Sequence, residues 1–395
     1  MNIGMILDNS FPPDPRVENE AISLIECGHH VFLFCFDYSN NQQKQEIING
    51  ITVCRYNVSK VIYKLSALAY TFPFYHIKVA KFIKTFAVKN KIDAFHIHDI
   101  QVARSVFWVT KRLDIPIVLD LHENRPEIMK YYSHVNTLIG KILISPKKWK
   151  KFEYKYIERA DKLIVVTEAA KQYYSHSVPI DEKKIHVVPN TVRKGFYLNP
   201  LIKNEIVDLY KNNYSILYLG DTGLRRGLET AISSLPDLIN KIPHIKLVIV
   251  GQSKTDYLLK NKVKELGVEE YVDFVGWKDF SLFPSYIISS DVGICPIHRN
   301  LHHDTTYANK IFQHLAFGKP IVVSNSTAQA ELVRKFECGL VFQDRDVQSF
   351  TNAIISLFHD RELYHRLSLN GKEAIENSLH WEILSKELIK LYNEI

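Results

Sequence analysis

The sequence predicts an α/β protein made of two Rossmann-like units in tandem, each a parallel sheet with helices on both faces. Three observations carry that reading. Short runs rich in Ile and Val, mostly without alternation, recur along the chain as buried strands do. Longer amphipathic segments separate them, which is the rhythm of a parallel sheet. The rhythm stops in a polar stretch and then restarts, and 395 residues leave room for two domains at roughly 100–200 residues each.

In the first unit the strands read as Asn2–Leu7, Val31–Phe36, Ile51–Cys54, Ala94–Ile97, Ile115–Leu119, Leu163–Val166 and Ile185–Val188. Helical patterns over Val17–Cys27 and Val61–Lys89 lie between some of them. Polar residues after Pro189-Asn190 place a linker within Asn190–Asn213. The second set of strands reads as Ile216–Leu219, Lys246–Val250, Val272–Val275, Val292–Pro296, Ile321–Val323 and Leu340–Phe342. Helices near Leu228–Ile239, Tyr257–Leu266, Lys310–Phe317 and Val347–Phe358 separate these. The expected domains are therefore 1–195 and 205–378. A last helix, Trp381–Ile395, carries apolar residues at 381, 384, 388, 391 and 392. Such a stripe needs a surface, and packing of 379–395 back on the first domain would supply one.

The composition is 46% hydrophobic and 24% charged, that of a soluble globular protein rather than a disordered or fibrous one. No run approaches the ~18 uncharged apolar residues that cross a bilayer. Met1–Leu7 lacks the basic start and cleavage site of a signal peptide. Cys27, Cys35, Cys54, Cys295 and Cys338 form no CxxC spacing and read as reduced thiols of a cytoplasmic protein. The net charge of +7 is uneven: residues 1–200 carry 28 basic against 19 acidic side chains, the rest 22 against 24. Segments 54–91 and 130–155 hold most of the excess, mixed with aromatic residues. That composition suits an anionic membrane surface or a phosphorylated partner.

Ligands of open α/β sheets sit beyond the carboxyl ends of the strands, so the loops there are the places to look for chemistry. After the first strand, three prolines stiffen the loop Phe11–Arg16, and Asp14 can cap a helix that has Pro15 in its first turn. Arg16 is then either a ligand contact at a helix start or a solvated side chain beside a rigid turn. No GxGxxG follows, which argues against a nicotinamide or flavin site. Leu121-His122-Glu123-Asn124-Arg125-Pro126-Glu127 gathers a histidine, two carboxylates and an arginine at one strand end. His122 there can donate to a sugar hydroxyl or stabilise developing charge. His96-Ile97-His98-Asp99 lacks an identifiable third ligand for a metal.

Gly220-Asp221-Thr222-Gly223-Leu224-Arg225-Arg226-Gly227 follows the first strand of the second unit. Its glycines allow close approach of a ligand, and its arginines and the helix start behind them suit a diphosphate. The polar loop from His298 leads into a helix that begins in the Thr305-Thr306 stretch, which presents free backbone amides to an anion, with Asn309 and Lys310 in the first turn. Gln313 lies one helical turn beyond Asn309 on the same face. The histidines of this loop lack firm zinc spacing.

At these residues the chain resembles the family 4 retaining glycosyltransferases of the GT-B fold, two facing Rossmann-like domains with a cleft between them. The resemblance runs through FPPDPRVENEA, the strand-end LHE, VVPNT at Val187–Thr191, YLGDTGLRRGLE, and NKIFQHLAFGKPIVVS from Asn309 to Ser324. It implies that Arg226 takes the place of the family's donor-phosphate lysine. Asp221 stands where many members have an arginine, with Arg225 as compensation. His122 matches the cleft histidine that contacts the donor sugar. Thr305 and Gln313 replace two glutamates eight positions apart, and Gln313 can still bond a ribose. Gly220, Gly223, Gly251, Val275, Gly276 and Asn309 complete the donor side, with Lys310 on the leaving group. Arg16, Glu123 and Glu127 are the acceptor-side residues. The resemblance implies transfer from a nucleotide-diphosphate sugar with retention, needing no divalent metal or other cofactor.

The expected acceptor is a glycan or lipid-linked molecule in cell-surface polysaccharide or glycoconjugate synthesis. Tyr56, Tyr63, Tyr70, Phe72, Phe74 and Tyr75 with their lysines, and Lys147–Phe152, would rest on anionic lipid. The expected location is cytoplasmic, at the inner face of the cell membrane. A nucleotide-sugar epimerase and a non-catalytic nucleotide-sugar-binding scaffold are the competing readings, and no recognition module points to nucleic acid.

Overall fold

The computed structural model describes residues 1–39, 41–111, 113–132, 135 and 137–395, without the side chains of residues 60, 139, 141 and 142. It divides into two units, Met1–Pro189 with Ser385–Ile395, and Asn190–Leu384.

The first unit holds strands β1 (Asn2–Ile6), β2 (His30–Asp37), β3 (Gln45–Ile48), β4 (Ile51–Asn57), β5 (Ala94–His98), β6 (Ile117–Leu121), β7 (Lys162–Val165) and β8 (Ile185–Val187). They form one sheet in the order β3-β4-β2-β1-β5-β6-β7-β8. All pair in parallel except β3, which runs antiparallel to β4. Strand order reverses at β1, where β2 lies on one side and β5 on the other, and this creates the crevice at their carboxyl ends. The edge strand β3 was not expected from the sequence. Its signal is Asn49-Gly50, both at positive φ (50° and 82°), the two-residue hairpin turn that sets Ile48 opposite Ile51.

Two expected features differ. The helical pattern 61–89 breaks into Lys60–Ser66 and Phe74–Asn90, because Pro73 has no N–H for a continuous helix. The sixth strand begins and ends two residues later than the apolar run suggests, so that His122 follows it directly. Asp14 caps the helix Pro15–Glu26 as expected, accepting from the Val17 N–H at 3.2 Å. From Ser385 onward the final helix, Trp381–Asn393, belongs to the first unit. Leu388, Leu391 and Tyr392 of its stripe are buried, and Glu387 meets His186 Nδ1 at 2.7 Å.

The second unit holds β9 (Tyr214–Leu219), β10 (Ile245–Val250), β11 (Val272–Gly276), β12 (Val292–Cys295), β13 (Ile321–Ser324) and β14 (Gly339–Phe342). They form an all-parallel sheet in the order β11-β10-β9-β12-β13-β14. Its order reverses between β9 and β12. Ile232, Leu235 and Leu238 of the helix Leu228–Ile239 pack into one core with Leu247, Ile249 and Ile294. Cys35, Cys54, Cys295 and Cys338 are buried thiols, and Cys27 is exposed.

In the first unit Phe34 on β2 is fully buried and packs against Phe36, Tyr56 and Phe86, with ring centroids 5.5, 4.6 and 5.7 Å away. Phe34→Ala should cost about 3–5 kcal/mol through the cavity it leaves. A lowered urea midpoint for the first unit would record it. A loss under about 1 kcal/mol would mean that the neighbouring rings collapse into the space.

Candidate active site

At the carboxyl ends of β1, β5 and β6 a chain of charged groups is enclosed. Arg16 is buried, and its guanidinium grips Asp120 through Nε at 3.2 Å and Nη2 at 2.7 Å. It also donates to the Val188 carbonyl at 3.0 Å and lies 2.9 Å from Glu20. His122 Nε2 donates to the same Asp120 at 2.7 Å, and its backbone N–H donates to Asp99 Oδ1 at 3.1 Å. Behind it stand His98, 3.1 Å from His122 Nε2, and His96, which meets the hydroxyl of Tyr392 at 2.9 Å.

Burial by itself would strip the proton from His122. Asp120, then Asp99, outweigh it and hold the imidazolium up to about 10. Arg16 and His122 in turn keep Asp120 ionised against its burial, well below the usual carboxylate range. His98 is depressed to about 4 by burial and by His96. Asp99 has φ 63° and ψ 162°, a region that is almost glycine-only and that costs about 1–3 kcal/mol. Such strain concentrates at functional sites, and here it aims a carboxylate at His122.

Glu20, His96, His98 and Asp120 bring ligand-type atoms within 4.8 Å of one another. These are the partners that the sequence left unidentified for His96 and His98, and Asp99 is not among them. Arg16 bonds both carboxylates of this group, so a guanidinium already counters their charge.

A cavity of about 830 Å³ opens beside this network, with Asp8, Asp99, Gln101, His122 and Arg125 on its polar side. The three expected acceptor residues do not line it. Arg16 is turned inward, with its donors on Asp120 and Val188. Glu123 is paired with Arg125 at 3.0 Å, and Glu127 with Lys130 at 2.5 Å. Asp8, Gln101 and Arg125, which do line it, were not among the expected site residues. Asp8 directly follows Leu7 at the end of the first apolar run, and this position was its signal.

The second unit assembles three glycines at the carboxyl ends of adjacent strands. Gly220, Gly251 and Gly276 have φ of 110°, 145° and 76°, and the Gly251 N–H donates to the Gly276 carbonyl at 2.8 Å. A Cβ on Gly251 would overlap the Gly220 carbonyl oxygen, and one on Gly227 would overlap that of Pro296. Only glycine satisfies both the torsion and the space. Arg226 is held by Asp221 at 3.1 Å, with Arg225 3.7 Å from the same carboxylate. Asp221 thus orients the arginines beside it. The Lys310 ammonium lies 3.8 Å from the centre of the Tyr218 ring and beside Gly220. Burial depresses it to about 7, and Arg226 and Arg225 add to the effect.

The Thr-Thr stretch does not open a helix, as the sequence suggested. It follows the short helix Leu301–Asp304, and the Thr305 and Thr306 hydroxyls donate back to that turn, to Leu301 and His302 at 2.8 Å each. The next helix starts at Lys310, with Asn309 at its cap position and Gln313 buried within it. Gly223 donates its N–H to Asp221, and Val275 lies on β11. His298 pairs with Asp344 at 2.7 Å, whereas His302 and His303 are neutral, depressed by burial to about 2 and 3. The loop's histidines therefore do not converge on one point.

The raised His122 has a defined consequence. Its folded value lies above the free value near 6.5, so the stability it adds is complete below that pH and is lost as pH climbs through about 10. Asp120→Asn should bring the His122 titration, followed by imidazole NMR, down to about 6.5 or lower. A titration that stays near its original place would mean that Asp99 holds the proton instead.

The description "Glycosyltransferase Family 4" matches residues 16–194, and "Glycosyl transferases group 1" matches residues 202–374. The capsular polysaccharide biosynthesis glycosyltransferase CapM of Staphylococcus aureus is 23% identical over 273 residues, 66% of this chain and 70% of CapM. The phosphatidyl-myo-inositol mannosyltransferase of Mycobacterium leprae is 21% identical over 100% of this chain and 97% of its own. Among solved structures, sucrose-phosphate synthase from Thermosynechococcus elongatus superimposes with a TM-score of 0.81 at 17% identity, covering 100% of this chain and 98% of that one. HepE from Anabaena, in complex with UDP, gives 0.75 at 15% identity over 100% of both chains. With a family match on each of its two Rossmann-like halves and GT-B structures as neighbours, this chain belongs to the family 4 glycosyltransferases.

Proposed function

We propose that this glycosyltransferase moves a sugar, with retention, from a nucleotide-diphosphate sugar to a glycan or lipid-linked acceptor in cell-surface polysaccharide or glycoconjugate synthesis. The observation that carries the donor half is the glycine cradle of Gly220, Gly251 and Gly276 beside Arg225, Arg226 and Lys310. Open backbone next to clustered cations is what a diphosphate requires. The complexes of HepE with UDP and with UDP-glucose support this reading, and the name of CapM supports the pathway.

In this mechanism the bond between the anomeric carbon and the diphosphate oxygen breaks, and its electron pair leaves with the phosphate. Arg226, Arg225 and Lys310 stabilise that charge, so the reaction needs no divalent cation. The acceptor hydroxyl attacks on the same face and passes its proton to a phosphate oxygen. His122, an imidazolium held by Asp120 and Asp99, supplies a fixed cation and donor to the sugar. Gln313 bonds the ribose, and Arg16 keeps Asp120 in place.

Calorimetry with UDP, GDP, ADP and CMP tests the donor half. One nucleotide should bind selectively, and Arg226→Ala should cost about 1.5–3 kcal/mol, the value of a charge-assisted bond. A bound anion must protonate Lys310, whose free value is about 7, so affinity should fall by up to about tenfold per pH unit above that. Absence of binding by all four nucleotides would remove the donor reading, and equal affinity from pH 6 to 9 would remove Lys310 from it.

We also propose that the protein attaches to membranes peripherally. No helix among the described residues is long and apolar enough to cross a bilayer. Val61, Tyr63, Phe72, Phe74 and Ile77 are exposed, with Lys64, Lys78 and Lys81 around them. Tyr70, Tyr75 and Trp149, expected on the same surface, are buried in the core. The side chains of Lys60 and Lys141 lie outside the described residues. Flotation with anionic vesicles at low salt checks the attachment, and recovery of the protein only in the bottom fraction would end this claim.

A further inference from the structure

We infer that Asp221 is an internal anion of the second unit: its carboxylate competes with incoming phosphates for the donors of its own loop, and so keeps a free phosphate from occupying them. That the ligand displacing it is a nucleotide diphosphate rests on the transferase reading. The competition with inorganic phosphate does not.

The carboxylate is held as an oxyanion ligand is held. Its Oδ1 accepts the Gly223 N–H at 3.2 Å, and its Oδ2 accepts from Arg226 Nε at 3.1 Å. Arg225 Nη2 lies 3.7 Å from the same Oδ2. A backbone N–H in a glycine-rich turn, together with guanidinium groups, is also what a phosphate takes. Asp221 therefore uses groups that this loop would otherwise offer to a phosphate. It is the more open partner, with its side chain 44% exposed against 22% for each arginine. Against the burial that would raise it, Arg226 and the Gly223 N–H hold the Asp221 carboxyl below its usual range, so the group is an anion at neutral pH.

The turn does not need that charge for its shape. Thr222 is buried and donates its hydroxyl to Asp256, at the start of the helix Asp256–Glu265. The Tyr218 hydroxyl donates to the backbone carbonyl of Asp221, and the Arg226 N–H donates to the Gly223 carbonyl at 2.8 Å. An asparagine at 221 would still accept from Gly223, as either residue does in such turns. It would lack only the negative charge beside the two arginines.

A carboxylate there weakens every anion by the same step, the cost of breaking its pair with Arg226. A free phosphate has one anchor and nothing to offset that step. A nucleotide diphosphate carries a second phosphate and a nucleoside on the same molecule, and linked contacts act together. It therefore remains bound after the step that removes the single-anchored anion. In this way Asp221 determines specificity without touching the reacting atoms.

Calorimetry with inorganic phosphate alone, at low salt and without nucleotide, tests the inference on wild type and Asp221→Asn. The variant should bind phosphate at least about fivefold more tightly, the factor for removing one unit charge ~4 Å away in water. Equal or weaker binding would overturn the inference, because a residue that only orients the arginines loses affinity when replaced. If Asp221→Asn fails to fold, Asp221→Ala decides by the same sign. Nucleotide titrations keep the two readings apart. If the variant gains phosphate affinity while UDP, GDP, ADP and CMP bind neither protein, only the donor reading falls. If a nucleotide binds the wild type and the variant gains nothing for phosphate, only the role of Asp221 falls.

Discussion

Arg16 places its guanidinium wholly inside the first unit: two bonds to Asp120, one to the Val188 carbonyl, and an ion pair with Glu20. Enclosing such charges costs several kcal/mol per ion, which only near-complete pairing offsets. The surrounding structure provides that pairing. Helix Pro15–Glu26 is fixed to β6 through Asp120, and the residue after β8 is reached through Val188. His122 then takes the remaining acceptor capacity of Asp120. The charge state of the half-buried His122 is thus set by Asp120, a carboxylate that Arg16 holds in place. Glu20 and His96 extend the same network to Tyr392 on the final helix, so the far end of the chain takes part in the order of the site.

The two units solve the ligand problem with the same topology and different chemistry. In each, strand order reverses beside the first strand, and the carboxyl ends there leave backbone groups open. The first unit fills that place with carboxylates and histidines that share protons. The second leaves it bare, with glycine at three strand ends, and brings cations to it. Asp221 tempers those cations. It pairs with Arg226, and Lys310 stays near its titration point because burial and two arginines act on it together.

The sheets were legible because a strand covered on both faces must be apolar throughout, and Ile and Val runs mark it. The hairpin strand β3 escaped because its residues face solvent by turns, so only the Asn49-Gly50 turn betrayed it. Among the site residues, the glycines were legible since a positive φ and a close backbone admit nothing else. Arg226 and His122 stand just after strands and Lys310 opens a helix, where the sequence places them. The partners of Arg16, Glu123 and Glu127 were not legible. Each is a charged residue near a strand end, and the identity of its partner decides whether it meets ligand or protein.

The sequence by itself determined thirteen of the fourteen described strands and their succession along the chain, the restart of the pattern in a second unit, and the positions where backbone must stay open. These depend on periodicity and on local torsions, which neighbouring residues set. Only the tertiary structure decided which charges meet. Arg16 and Asp120 are 104 residues apart in the chain, and His96 and Tyr392 are 296 apart. Whether a histidine is an imidazolium, or a lysine is half-ionised, depends on distances of a few ångströms and on the exclusion of water around them. No local pattern encodes those quantities.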